Sequence, residues 1–126
     1  MNIVLWILQG LLAAIFAMAG FMKLSKSKEE LMKQASMAWT SDVSAGGIKA
    51  IGMLELLAAI GLVLPPLLNT LPWLSPLAAL GLVCTMIGAL ILHMRRGDGK
   101  QALTTNVILL LLAAFVAYGR LMLIPF

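Results

Sequence analysis

Glu55 is the only formally charged residue between Lys49 and Arg95, and it stands inside the apolar run "IGMLELLAAIGLVLPP" at 51–66. A carboxylate in such a place can clamp a cation, hold a polar ligand or carry a proton, and each use needs partners at the same depth. The candidates are Lys23, His93 and Asn106, each near the end of another hydrophobic run. Together they offer a carboxylate, an ammonium, an imidazole and a carboxamide: a set suited to binding by charge and hydrogen bonds.

Other chemistry is short of parts. Cys84 is the single cysteine, so neither a CxxC couple nor an internal disulfide can form. One histidine cannot build a typical multi-histidine metal or haem site. No GxGxxG, Walker A or GxSxG stretch occurs, and no catalytic residue, metal site or cofactor is assigned from the residues.

The elements that must position these groups follow from composition. The 126 residues are 62% hydrophobic and 11% charged, with a mean hydropathy of +1.04. That is more apolar surface than one small water-soluble core can hide. Helices of about 20 residues cross a hydrocarbon layer of about 30 Å, and four runs are long enough: 2–22, 48–68, 73–94 and 102–124. The expected fold is a single all-α domain, an integral membrane four-helix up-and-down bundle.

The Ala17-Met18-Ala19 pattern resembles a signal cleavage site. No Lys or Arg precedes the run, however, and the run exceeds an ordinary signal core, so the segment is read as a span.

Lys23, Lys26, Lys28, Lys33 and Lys49 flank the first connection, and Arg95, Arg96 and Lys100 the third. The opposite side has only Arg120. The positive-inside rule therefore puts both termini outside the cytoplasm, with Trp6, Trp73 and Tyr118 at the outer interface. The net charge of +4 is a collar against the lipid bilayer, and nucleic acid is not an expected partner.

Between spans one and two, Ser27 to Trp39 reads as a short amphipathic interfacial helix. Ser27 is its N-cap, Glu29 and Glu30 lie in its first turn, and Leu31, Met32, Ala35, Ala38 and Trp39 form its apolar side. "TSDVSAGG" then reads as a turn, and Pro65, Pro66, Pro72 and Pro76 as a stiff outer hairpin. The turn "RRGDGK" places Gly97 and Gly99 around Asp98.

Depth and azimuth favour convergence. Glu55 lies roughly 10 Å along its helix from Ile48, and Gly52 and Ala59 share its face. Gly20, Phe16 and Ala13 line up with Lys23, and Asn106, Ala113, Ala117 and Arg120 form a stripe on span four. Small residues on a polar face are what close helix packing in lipid requires. Each group also has a plain structural reading: Glu55 as a clamp for Lys23, Lys23 as a positive-inside anchor, His93 as a helix-end cap, Asn106 as an interhelical hydrogen bond, and Arg120 as a side chain reaching the headgroups.

"GFMKL" at 20–24, "IGMLELLAAIGLVLP" at 51–65, the "HMRRGD" stretch from His93 and Asn106 resemble the DoxX-like family of small four-helix membrane proteins. The resemblance runs from Gly10 to about Ala117. It implies a bacterial inner-membrane bundle similar to proteins linked with quinone-associated redox systems, and distantly to an animal receptor-assembly chaperone; it implies no common activity.

Three functions are open on these grounds. The first is a binding or accessory subunit holding a lipophilic ligand such as a quinone at Lys23, Glu55, His93 and Asn106, alongside a redox complex. The second is an assembly or stabilising factor that recognises the helices of other membrane proteins through small-residue faces such as Gly10, Ala14 and Ala17; a homo-oligomer is also open. The third is a proton-coupled transporter with Glu55 as carrier, although no inverted repeat is visible.

Overall fold

A computed structural model describes the backbone of residues 1–126 and all side chains except those of Ala35 and Ser36. The chain is helical nearly throughout. It runs α1 (Asn2–Ser25), α2 (Lys28–Met32), a 3₁₀ segment (Ala35–Asp42), α3 (Ala45–Leu67), α4 (Leu74–Arg96) and α5 (Lys100–Tyr118), and ends in a π-helical turn (Gly119–Leu123). The helices α1, α3, α4 and α5, the last continued by the π turn, are long and apolar enough to cross a membrane. They alternate in direction, giving the bundle a basic end, with both basic connections, and a terminal end, with both chain termini.

Each span outruns its sequence estimate at the basic end, because polar residues there still satisfy helical backbone. Ser44 caps α3 by accepting from the Gly47 N–H at 3.0 Å, so the latter half of "TSDVSAGG" is helix and not turn. From the neighbouring α3, the Lys49 ammonium donates to the carbonyls of Leu24 (2.7 Å) and Lys26 (2.9 Å), which closes the end of α1. The cation that was counted only as part of the collar is thus a C-terminal cap.

The prolines also behave differently from the outer hairpin expected of them. Pro65 and Pro66 lie inside the last turn of α3, and Pro76 lies in the first turn of α4. Proline is tolerated in a first turn, where its missing N–H has no helical partner to lose. In the last turn of α3 the loss is real, since Pro66 cannot donate to the carbonyl of Leu62. Gln9 Nε2 from α1 (2.7 Å) and Ser75 Oγ from α4 (2.8 Å) donate to that carbonyl instead.

The interhelical amphipathic helix is two pieces. Ser27 caps α2 as expected, accepting from the Glu30 N–H at 3.2 Å, but the helix stops at Met32 and Gln34 is extended. The chain then resumes as 3₁₀ from Ala35 to Asp42. Leu31 is fully buried, whereas Met32 is exposed, so the apolar residues do not form one continuous side. Ala35, assigned to that side, has its side chain outside the described residues.

The buried core is built from Leu12 and Phe16 of α1, Ala59 and Leu62 of α3, Leu82 and Met86 of α4, and Ala113 and Val116 of α5. Leucines, isoleucines and methionines remain exposed all round the bundle, as for a surface whose solvent is hydrocarbon. The closest crossing joins α1 and α3. A Cβ on Gly20 would lie 2.6 Å from the Gly52 carbonyl oxygen, and one on Gly52 would lie 2.8 Å from Lys23 Cβ. Backbones that meet this closely bring the side chains of the next turn within reach of each other.

Candidate functional site

One turn beyond the Gly20–Gly52 crossing, Lys23 Nζ stands 2.7 Å from Glu55 Oε1, with both side chains about 95% buried. The pair forms as the clamp reading expects, and His93, the other partner considered for Glu55, is engaged elsewhere. Two charges removed from water cost several kcal/mol each before their attraction is counted. Their placement is therefore a constraint on packing as much as a source of stability.

His93 ends α4, where Gly97 adopts a left-handed conformation (φ 73°) that folds the chain back. The Asp98 N–H donates to the His93 carbonyl at 3.0 Å, and Asp98 Oδ2 comes within 2.6 Å of His93 Nδ1. A carboxylate can only accept, so the imidazole proton belongs on Nδ1 and Nε2 is left for another partner. The hydrogen bond from His93, with a second from Arg96 Nε at 3.1 Å, holds the Asp98 carboxyl below its usual range. Asp98 was legible only as a turn residue; the signal for its role was the glycine before it, which returns a side chain to the last helical turn.

Arg96 extends this cluster to the 3₁₀ segment. Its Nη1 donates to Asp42 Oδ2 at 2.7 Å and to Ser41 Oγ at 3.2 Å. Trp39 of the same segment is half-buried, its ring edge-on to His93 at 6.5 Å and 5.7 Å from the Lys23 ammonium. It is thus turned toward the bundle, whereas its place on the apolar side of an interfacial helix implied contact with the membrane. An indole lying beside a cation gains from the ring quadrupole, which the interface would not supply.

These groups surround a cavity of about 880 Å³ in the basic half of the bundle. Lys23, Glu55, His93 and Asn106 all line it, together with Trp39 and Asp98. Its inner part is apolar, walled by Phe16, Ile51, Met86 and Leu109 among others. Asn106 is half-buried, and its amide has no hydrogen-bond partner among the described residues, so the expected interhelical bond does not form. Charged and amide groups at one end and hydrocarbon walls at the other suit a ligand with a polar head and an apolar body.

Arg120 departs from its expected reach to the headgroups: it is 2% exposed. Its Nε donates to Gln9 Oε1 and its Nη1 to Asn2 Oδ1, both at 2.7 Å, and Nη1 also meets the Ile124 carbonyl at 3.1 Å. The guanidinium carbon lies 4.0 Å from the Phe126 ring centre and 5.5 Å from that of Trp6. Flat, weakly hydrated and stacking readily, a guanidinium tolerates such an enclosure better than an ammonium does. Gln9, polar and fully buried in α1, was not singled out in the sequence although it interrupts an otherwise apolar run.

No curated protein and no solved structure matches the chain. A family model described as the DoxX-like family matches residues 7–116, which takes in the Gly20–Gly52 crossing, the Lys23–Glu55 pair and the His93–Asp98 turn. With four helices able to cross a membrane, this chain is a multi-pass membrane protein and belongs to the DoxX-like family.

Proposed function

We propose that the protein is a non-catalytic or accessory subunit that holds a lipophilic ligand, such as a quinone, by its polar head in the cavity at the basic end. The observation that carries the reading is that Lys23, Glu55, His93 and Asn106, drawn from four helices, line one cavity of about 880 Å³. Within it, the Asn106 amide N–H can donate to a carbonyl head, and His93 Nε2, an acceptor while the proton sits on Nδ1, can accept from a hydroxyl head. The Lys23 ammonium, its charge balanced by Glu55, can offer a further N–H, and Trp39 supplies a flat face for a ring. We place the protein in the bacterial inner membrane with the basic end in the cytoplasm, on the eight-to-one distribution of Lys and Arg between the two sides.

Native mass spectrometry of gently solubilised protein tests the reading. A retained quinone, or mass gained on adding one and lost in Asn106→Leu, supports it. A species that takes up no quinone counts against it.

A second reading, an assembly factor for other membrane proteins, is favoured by the outer face of α1. Gly10 and Ala14 are exposed there, and a Cβ on Gly10 would meet nothing within 4 Å. Copurifying membrane proteins lost in Gly10→Leu, with quinone uptake absent, would select this reading.

A further inference from the structure

The cavity is not closed toward the bilayer. Leu54, Cys84 and Thr85, which line it, also line a second hollow of about 630 Å³ on the outward surface between α3 and α4. Leu54 is 61% exposed and Cys84 is exposed, so this junction faces hydrocarbon. From it, the groove continues toward the terminal end past Gly81, Leu57 and Leu77 to Pro65 and Leu74.

The helix pair explains the shape. A Cβ on Gly61 would lie 3.2 Å from Ala78 Cβ, so α3 and α4 are in close contact in the terminal half. Toward the basic end they separate, and Gly81 and Gly88 both have open space where a side chain would begin. Gly88 belongs to the cavity and Gly81 to the groove. The groove offers little to a polar group: the Thr85 hydroxyl is already spent on the Gly81 carbonyl at 2.9 Å.

We propose that the groove between α3 and α4 holds the single hydrocarbon tail of the amphiphile whose head occupies the cavity, and that the ligand enters sideways from the bilayer past Cys84. The inference rests on the head-binding reading above. From Thr85 to Leu74 the slot follows α4 for about 16 Å, enough for an extended chain and not only a ring substituent. A tail already in lipid gains no hydrophobic free energy here; what the slot supplies is packing and a fixed direction of exit from the cavity.

The test uses the full chain in lipid nanodiscs, with decylubiquinone and the tail-less quinone of the same head as probes. Binding is read as thermal stabilisation, and Cys84 exposure as its rate of maleimide labelling. Gly81→Leu starts a bulky side chain in the slot, with its Cβ meeting nothing within 4 Å. It is expected to weaken decylubiquinone roughly tenfold while leaving the tail-less probe unchanged. In the unaltered protein, decylubiquinone is expected to slow Cys84 labelling and the tail-less quinone is not.

Equal loss for both probes in Gly81→Leu, or no loss for either, overturns the tail slot and leaves the head site standing. So does Cys84 labelling that decylubiquinone does not slow. If neither probe stabilises the unaltered protein, the head-binding reading fails and the slot fails with it.

Discussion

Two buried cations, Lys23 and Arg120, mark the two halves of the bundle, and the protein treats them differently. Lys23 is neutralised by a carboxylate from the neighbouring helix and stands on the wall of a cavity. Arg120 has no salt bridge among the described residues; two neutral side chains, a carbonyl and two aromatic rings receive it. Gln9 then passes the network on, accepting from Arg120 and donating to the Leu62 carbonyl and to Ser75 Oγ at 3.0 Å. The terminal half is held by a continuous chain of hydrogen bonds across four helices. The basic half leaves His93 Nε2 and the Asn106 amide without protein partners among the described residues. Arg120 Nη2 also lacks a hydrogen-bond partner among the described residues, but it is sealed within the terminal half, whereas the unpartnered groups of the basic half line the cavity in which we propose that a ligand binds.

The largest expected effect comes from breaking the ion pair on one side only. Glu55→Leu leaves a buried ammonium uncompensated and should cost about 3–5 kcal/mol in unfolding free energy. The double change Lys23→Met with Glu55→Leu should recover most of that loss, since a buried pair replaced by apolar residues is often neutral. A double variant as unstable as Glu55→Leu alone would mean that the pair does more than neutralise itself.

Next is the other half. Gln9→Leu strands Arg120 Nε and removes one of two donors from the Leu62 carbonyl, with an expected loss of about 1–3 kcal/mol and no change in ligand uptake. Loss of uptake in Gln9→Leu would erase the functional distinction between the halves. Gly20→Ala is expected to cost about 1–3 kcal/mol by pushing a methyl toward the Gly52 carbonyl; because Lys23 and Glu55 depend on that crossing, it should also weaken ligand uptake.

The smallest effect concerns pH. Asp98 is held below the ordinary carboxylate range by His93 and then by Arg96. Its contribution is therefore complete above that range and disappears as the pH falls through the lowered value. Hydrogen exchange in residues 35–42 should rise on acidification below about pH 4, with little change in melting temperature. Asp98→Asn should show the faster exchange at neutral pH. Exchange in 35–42 that ignores both changes would separate the 3₁₀ segment from the His93 cluster.

The spans and the stripes of small residues were legible because both are periodic properties of single helices. Gly52, Glu55 and Ala59 do share a buried face, as do Ala113, Ala117 and Arg120, with Asn106 half-buried on the cavity wall. What one helix cannot reveal is where a long side chain ends. Lys49 looked like any other basic residue near the interface but folds back to cap α1. Arg120 looked able to reach water, yet the π-helical turn that begins at Gly119 keeps it beneath Trp6 and Phe126. A Cβ on Gly119 would lie 2.6 Å from Leu5 Cδ2, so the chain ends packed directly on α1. The 3₁₀ segment escaped for the opposite reason: its apolar residues are too few to fix a period, and Trp39 is oriented by Lys23 and His93, both distant in sequence.

The proline pair in α3 has a mechanical consequence. By withholding a rung from its own helix, Pro66 turns the Leu62 carbonyl into a fastening shared by three spans. Prising α4 from α3 there would bare that oxygen to acyl chains, a penalty that no hydrogen bond between these two helices imposes at the basic end among the described residues. Breathing between α3 and α4 should then pivot like a clothes-peg about the proline-bearing extremity, with the jaws at His93 and Ile51, while Lys23–Glu55 and Lys49 keep α1 on α3.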